Sequence, residues 1–160
     1  MTNDGKGSGM LRSLARGIAA GIAGTAAMTA YRLSVAKAQG KPLATPVPHR
    51  WADAPAPAQV AKKIADALGE GRRFTREDVP LLANAMHWLT GVSWGAVYGV
   101  APVNGLAFGT GVWAASYAEL VPLGVYQPPW RYPAKVLALD WSYHAVYGLA
   151  VAGAFSALGE

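Results

Sequence analysis

The stretch LLANAMHWLTGVSWGAVYGVA, residues 81–101, decides how this chain is read, because it contains no Asp, Glu, Lys or Arg and runs through Gly91, Gly95 and Gly99 without a break. An apolar run of this length is what a helix needs to cross about 30 Å of hydrocarbon, since about 20 residues at about 1.5 Å each cover that depth. Three further windows resemble it: residues 17–36, 105–125 and 136–158. The acids and bases inside the four windows are Arg32, Glu119 and Asp140. The expectation is an all-α, integral membrane four-helix bundle, one membrane domain over residues 1–160. Buried helices of a soluble protein are the competing reading, although four helices apolar all round would be hard to bury in so short a chain.

Composition points the same way. Of 160 residues 52% are hydrophobic and 14% charged, against about a quarter charged in an ordinary soluble domain. The mean hydropathy of +0.20 averages apolar segments with a polar insert. The absence of cysteine excludes disulfides, thiolate metal sites and cysteine nucleophiles. A net charge of +5 fits contact with anionic lipid headgroups better than nucleic acid, because the charges flank apolar windows and are not interleaved with exposed aromatics. The basic, then apolar, N-terminus reads as a retained helix rather than a signal peptide, since it ends in Tyr31-Arg32-Leu33 and not at a clear small-residue cleavage site.

Small residues recur at spacing four in every window. Gly17 and Gly21, then Gly91, Gly95 and Gly99, then Gly105 and Gly109, then Gly148, Ala152 and Ser156 form stripes along which backbones can approach closely. Abundant Gly and Ala would produce some of this by chance. Aligning GIAAGIAGTAAMTA (residues 17–30) with GLAFGTGVWAASYA (residues 105–118) gives six identities in fourteen, and Ala-Val-Tyr-Gly occurs at 96–99 and 145–148. A two-helix unit used twice in the same orientation is one explanation; compositional bias is the other.

The polar loop 39–79 has two halves. Pro42, Pro46, Pro48, Pro55 and Pro57 disfavour helix in the first. In the second, Val60, Ile64 and Leu68 share a face, which predicts a short amphipathic helix lying in the headgroup region or on the end of the bundle. Lys and Arg concentrate in this loop and between the last two windows, which would make loop 39–79 cytoplasmic, with both termini outside the cell (inner) membrane. Trp88, Trp130 and Trp141 fit an aromatic belt at the interface.

Arg32, His87, Glu119, Asp140 and His144 are the acidic, basic and histidine side chains inside the windows, and counting residues puts all five in one layer near one face. The plainest expectation is structural: an Arg32–Glu119 ion pair, with Asp140 hydrogen-bonded to His144 one turn away. Three functional readings stand beside it. The set suits iron, manganese or zinc chemically, yet no HExxH or ExxH spacing is present. His87 and His144 could hold a haem between two helices. His87, Glu119 and His144 could carry protons near neutral pH. No cofactor is predicted outright. No phosphate-binding glycine loop or GxSxG motif occurs, so an enzyme is not the expectation.

The Gly-rich first window, His87 with the later GVSWGAVYG, and SYHAVYG in the last window resemble the YagU-like bacterial inner-membrane proteins. The resemblance is diffuse and covers the windows rather than the loop; it implies an inner-membrane location and a role in envelope or acid stress, and carries no catalytic residues. The leading functional expectation is an accessory or scaffolding subunit of a membrane assembly, partnered by the lipid bilayer, by further copies of itself (a homo-oligomer) or by other membrane subunits. The alternative is a proton-linked transporter or a haem- or metal-binding redox protein using the polar layer.

Overall fold

The computed structural model describes residues 4–159; Met1 to Asn3 of the basic N-terminus and Glu160 lie outside the described residues. Its elements are α1 (Asp4–Ala38), α2 (Ala56–Ala67), α3 (Val79–Val100), α4 (Gly105–Leu120) and α5 (Ala134–Ala157), joined by short 3-10 turns, with no strand among the described residues. Local chemistry sets the helix starts. Thr75 and Asp78 form a capping box ahead of α3, the Thr75 backbone N–H donating to Asp78 Oδ2 at 2.7 Å. Asn104 caps α4 by accepting from the Leu106 and Ala107 N–H groups at 3.0 and 3.2 Å. Pro55 and Pro133 immediately precede α2 and α5, where a missing N–H costs nothing.

The all-helical expectation agrees with these elements, but the membrane-spanning one is overturned: no helix among the described residues is long and apolar enough to cross a membrane. Two physical reasons account for the difference. Helix α4 has 16 residues, because the chain turns at residues 121–124, where Gly124 takes a positive φ of 67°; the expected window 105–125 is therefore too short as a helix. The longer helices α3 and α5 are diluted by Asn84, His87, Thr90 and Ser93, and by Lys135, Asp140, Ser142 and His144. Much of the remainder is Gly, Ala, Tyr and Trp, and insertion energy comes mainly from Leu, Ile, Val and Phe. The windows were apolar by count and not by transfer energy.

Helix α1 lies between α3 and α5, α4 packs on α5, and α2 packs on α3. Two of these contacts are made backbone to backbone. A Cβ at Gly21 would come within 2.8 Å of the Gly91 carbonyl oxygen and 2.9 Å of Gly95 Cα, and one at Gly17 within 2.7 Å of Gly99 Cα. Across the second contact a Cβ at Gly105 would meet the Gly148 carbonyl oxygen at 2.8 Å, and one at Gly148 would meet Gly109 Cα at 2.7 Å. Only glycine fits at such positions, and the close approach multiplies dispersion contacts.

Helices α3 and α4 are consecutive, yet their backbones stay apart. Aromatic rings span the gap: Tyr98 meets Phe108 edge-on at 4.8 Å, Trp94 meets Phe108 at 6.3 Å, and the Tyr98 hydroxyl donates to the Val103 carbonyl at 2.9 Å. Tyr147 and Val151 of α5 and Ala20 of α1 complete this core.

The amphipathic reading of the loop also changes. In α2 the apolar positions Ile64 and Leu68 at its end are 48% and 73% exposed, while Ala58 and Ala65 are buried, Ala58 against Val79 and Ala83 of α3. Small side chains let α2 lie flat on α3, and close fit outweighed hydrophobic bulk. The three tryptophans form no common belt: Trp130 is 81% exposed in a turn, and Trp141 Nε1–H donates to Thr110 Oγ1 at 3.1 Å.

Gly95→Ala should therefore destabilise the fold by about 1–3 kcal/mol through overpacking. Gly111→Ala, in an open stretch of α4 with nothing within 4 Å, should stabilise it by about 0.5–1 kcal/mol. Chemical denaturation of both variants measures the contrast; equal shifts in the same direction would contradict the backbone contact.

Candidate functional site: a cavity inside the bundle

Between the separated helices α3 and α4 and the closed face of α1 and α5 lies a cavity of about 350 Å³. Thr25 and Met28 of α1, Gly91 and Trp94 of α3, Val112 and Ser116 of α4, and Tyr143 and Tyr147 of α5 contribute to its wall. Its outer end is lined by Pro57 and Val60 of α2 and by Tyr126 of the connection after α4. The wall contains Arg32, His87, Glu119, Asp140 and His144, the whole set singled out from sequence. They are brought to one site, but not in the pairs expected.

Among the described residues no ion pair joins Arg32 to Glu119, both of which are exposed. The Arg32 guanidinium instead lies 5.8 Å from the centre of the Tyr143 ring. Asp140 does not bond the His144 ring through its carboxylate. His144 Nδ1 sits 2.9 Å from the Asp140 backbone carbonyl, while Asp140 Oδ2 accepts from Trp113 Nε1–H at 2.9 Å and from the Tyr117 hydroxyl at 3.3 Å. Trp113 and Tyr117 were missed from sequence. Their signal was a pair of aromatic donors four apart on α4, able to meet one half-buried carboxylate on a neighbouring helix.

His87 Nε2 lies 3.1 Å from Thr29 Oγ1. Burial pushes its pKa down from 6.5 to about 4, with the Arg32 guanidinium and His144 acting in the same direction. At neutral pH the ring is therefore uncharged, presenting one donor and one acceptor. It does not respond near neutral pH, as the proton-pathway reading required. The contact fixes the orientation of the imidazole. Tyr126 is pushed up to about 12 by burial and by the Asp140 charge, and burial also raises Tyr147, whose hydroxyl donates to the Gly91 carbonyl at 2.6 Å. Both phenols stay protonated.

The metal and haem readings need converging ligands. Among the described residues no group of three or more His, Asp or Glu is placed to hold a metal ion. Thr29 and the Asp140 carbonyl each engage one nitrogen of His87 and His144, which leaves each ring a single nitrogen. What the arrangement offers is a partly open space with apolar sides, hydrogen-bonding groups, the carboxylates Asp140 and Glu119, and a guanidinium that forms no ion pair among the described residues.

The depressed pKa of His87 links folding to pH. Its folded-state value lies below the unfolded one, so protonation favours the unfolded chain; the stability is fully present above about pH 6.5 and is lost as pH falls toward 4. Discounted for partial exposure, the loss is on the order of 2 kcal/mol. Thermal melts of wild type and His87→Gln across this range should converge at acid pH; parallel curves would remove His87 as the cause. No known protein family, curated protein or solved structure matches the chain, so the functional reading rests on the cavity.

Proposed function

We propose that this chain is a binding protein that holds one small, largely apolar molecule in the cavity between α1, α3, α4 and α5. The observation that carries the reading is the cavity itself, which exists because aromatic side chains prop α3 from α4 while glycine contacts close the other helix pairs. Its volume of about 350 Å³ is at the lower end of ligand sites, which run from about 300 to 1,000 Å³. Met28, Trp94 and Val112 supply apolar wall, and a few polar groups converge at one end, the combination that gives affinity from burial and orientation from hydrogen bonds.

A neutral fluorescent probe, N-phenyl-1-naphthylamine, should bind saturably at one site per chain with enhanced emission. Ser116→Phe, which fills the cavity from α4, should weaken that binding at least tenfold while the helical circular dichroism is retained. Binding that does not saturate, or that the filled variant leaves intact, would refute the cavity as the site.

A second reading is supported by the outer surface. Leu81, Leu89 and Val100 on α3 and Leu149 on α5 are more than half exposed, an arrangement that suits an accessory subunit which associates through apolar contacts. Light scattering during size-exclusion chromatography should then show mass rising with concentration, and Leu89→Glu should reverse it. A monomer at every concentration would exclude self-association.

A further inference from the structure

We infer that the ligand of this cavity is an amphipathic anion, an apolar chain or ring ending in a carboxylate, with Arg32 reading the carboxylate at the rim. The inference rests on the binding function proposed above and specifies its ligand class.

Arg32 comes late in α1, one turn beyond Met28, so a molecule with its apolar body against Met28 and Trp94 brings its head to the guanidinium. Among the described residues Arg32 has no carboxylate within 4 Å, and its nearest engagement is the face of Tyr143. A cation–ring contact of 5.8 Å uses none of the guanidinium's N–H donors, which can meet a planar carboxylate two at a time.

The other charged and titratable groups of the wall are compatible with this. Asp140 accepts from Trp113 and Tyr117 through Oδ2 alone and His87 is uncharged at neutral pH, so neither supplies a cation that competes with Arg32 for the carboxylate. Glu119 is the one carboxylate of the wall without such donors; it is exposed, and it opposes the anion rather than attracting it.

The surroundings add a steering field. Residues 39–78 and 121–133, which contribute Pro57, Val60 and Tyr126 to the cavity's outer end, contain eight Lys and Arg against five Asp and Glu. Three of the acids are paired locally, in Arg50–Asp53, Lys62–Asp66 and Arg73–Glu70, and the two segments together keep a net charge of +3. A positive rim raises the local concentration of anions and their association rate.

Three probes with one chain and three heads test the inference on the intact protein: decanoate, decanol and decylammonium, each measured by displacement of N-phenyl-1-naphthylamine at pH 7.5 and low salt. Decanoate should bind at least tenfold tighter than decanol. Arg32→Gln should abolish that preference by weakening decanoate at least tenfold more than decanol, Arg32→Lys should restore part of it, and Glu119→Gln should increase decanoate affinity. Equal binding of decanoate and decanol, unaffected by Arg32→Gln, would overturn the carboxylate reading while leaving the cavity function intact. Tightest binding of decylammonium would overturn it in favour of a cation held by Glu119. Failure of all three probes, with no binding of the fluorophore, would remove the cavity function and this inference together.

Discussion

Everything in this fold depends on helix backbones touching where side chains are missing. Gly17 and Gly21 lie against Gly95 and Gly99, and Gly105 and Gly109 lie against α5 around Gly148, at distances no Cβ would permit. These contacts fix α1 on α3 and α4 on α5 as two tightly closed pairs. Gly24 lets α1 close on Val151 and Tyr147 of α5 as well, whereas the α3–α4 gap is spanned by Trp94, Tyr98 and Phe108. The cavity is the space left because close packing is available on some faces and not on others.

The two closed pairs have the same register. Gly17 meets Gly99 as Gly105 meets Gly148, and Gly21 meets Gly95 as Gly109 meets the backbone of His144, the positions that the repeated sequence segments place in correspondence. A repeated unit would make α1 against α5 equivalent to α4 against α3. The first is closed and the second open, so the likeness between halves ends at the cavity. Asp140 occupies in α5 the position that Gly91 occupies in α3, which puts a carboxylate and its two donors on one side of the cavity and a bare backbone on the other.

The polar groups in the wall follow from the cost of burying charge. An isolated carboxylate inside a bundle is expensive, and Asp140 meets that cost with an indole N–H and a phenol O–H. An imidazole can lose its charge instead, and His87 does so, being neutral well below pH 7. A guanidinium cannot, so Arg32 stays at the exposed rim over an aromatic face. Each ionisable side chain thus ends at a depth set by how it can be accommodated.

By itself the sequence determined that this chain is helical and singled out five ionisable side chains that line one cavity, because hydrophobic periodicity and a constant rise per residue are local properties. It also marked the glycine stripes, whose spacing of four is the helix's own period. It misled on length and hydropathy: residues 121–125 continue an apolar run but turn at Gly124, and counting Gly, Ala, Tyr and Trp as apolar made spans of helices that are not long and apolar enough to cross a membrane. Tertiary structure alone decided which polar groups meet. Arg32 and Glu119 line one cavity yet form no ion pair among the described residues, Asp140 turns to Trp113 and Tyr117 rather than to His144, and α2 buries Ala58 in preference to Ile64 and Leu68. Those outcomes depend on the rotation of each helix about its axis and on which pairs pack closely. That rotation is fixed by contacts between residues far apart in the chain, which no local pattern encodes.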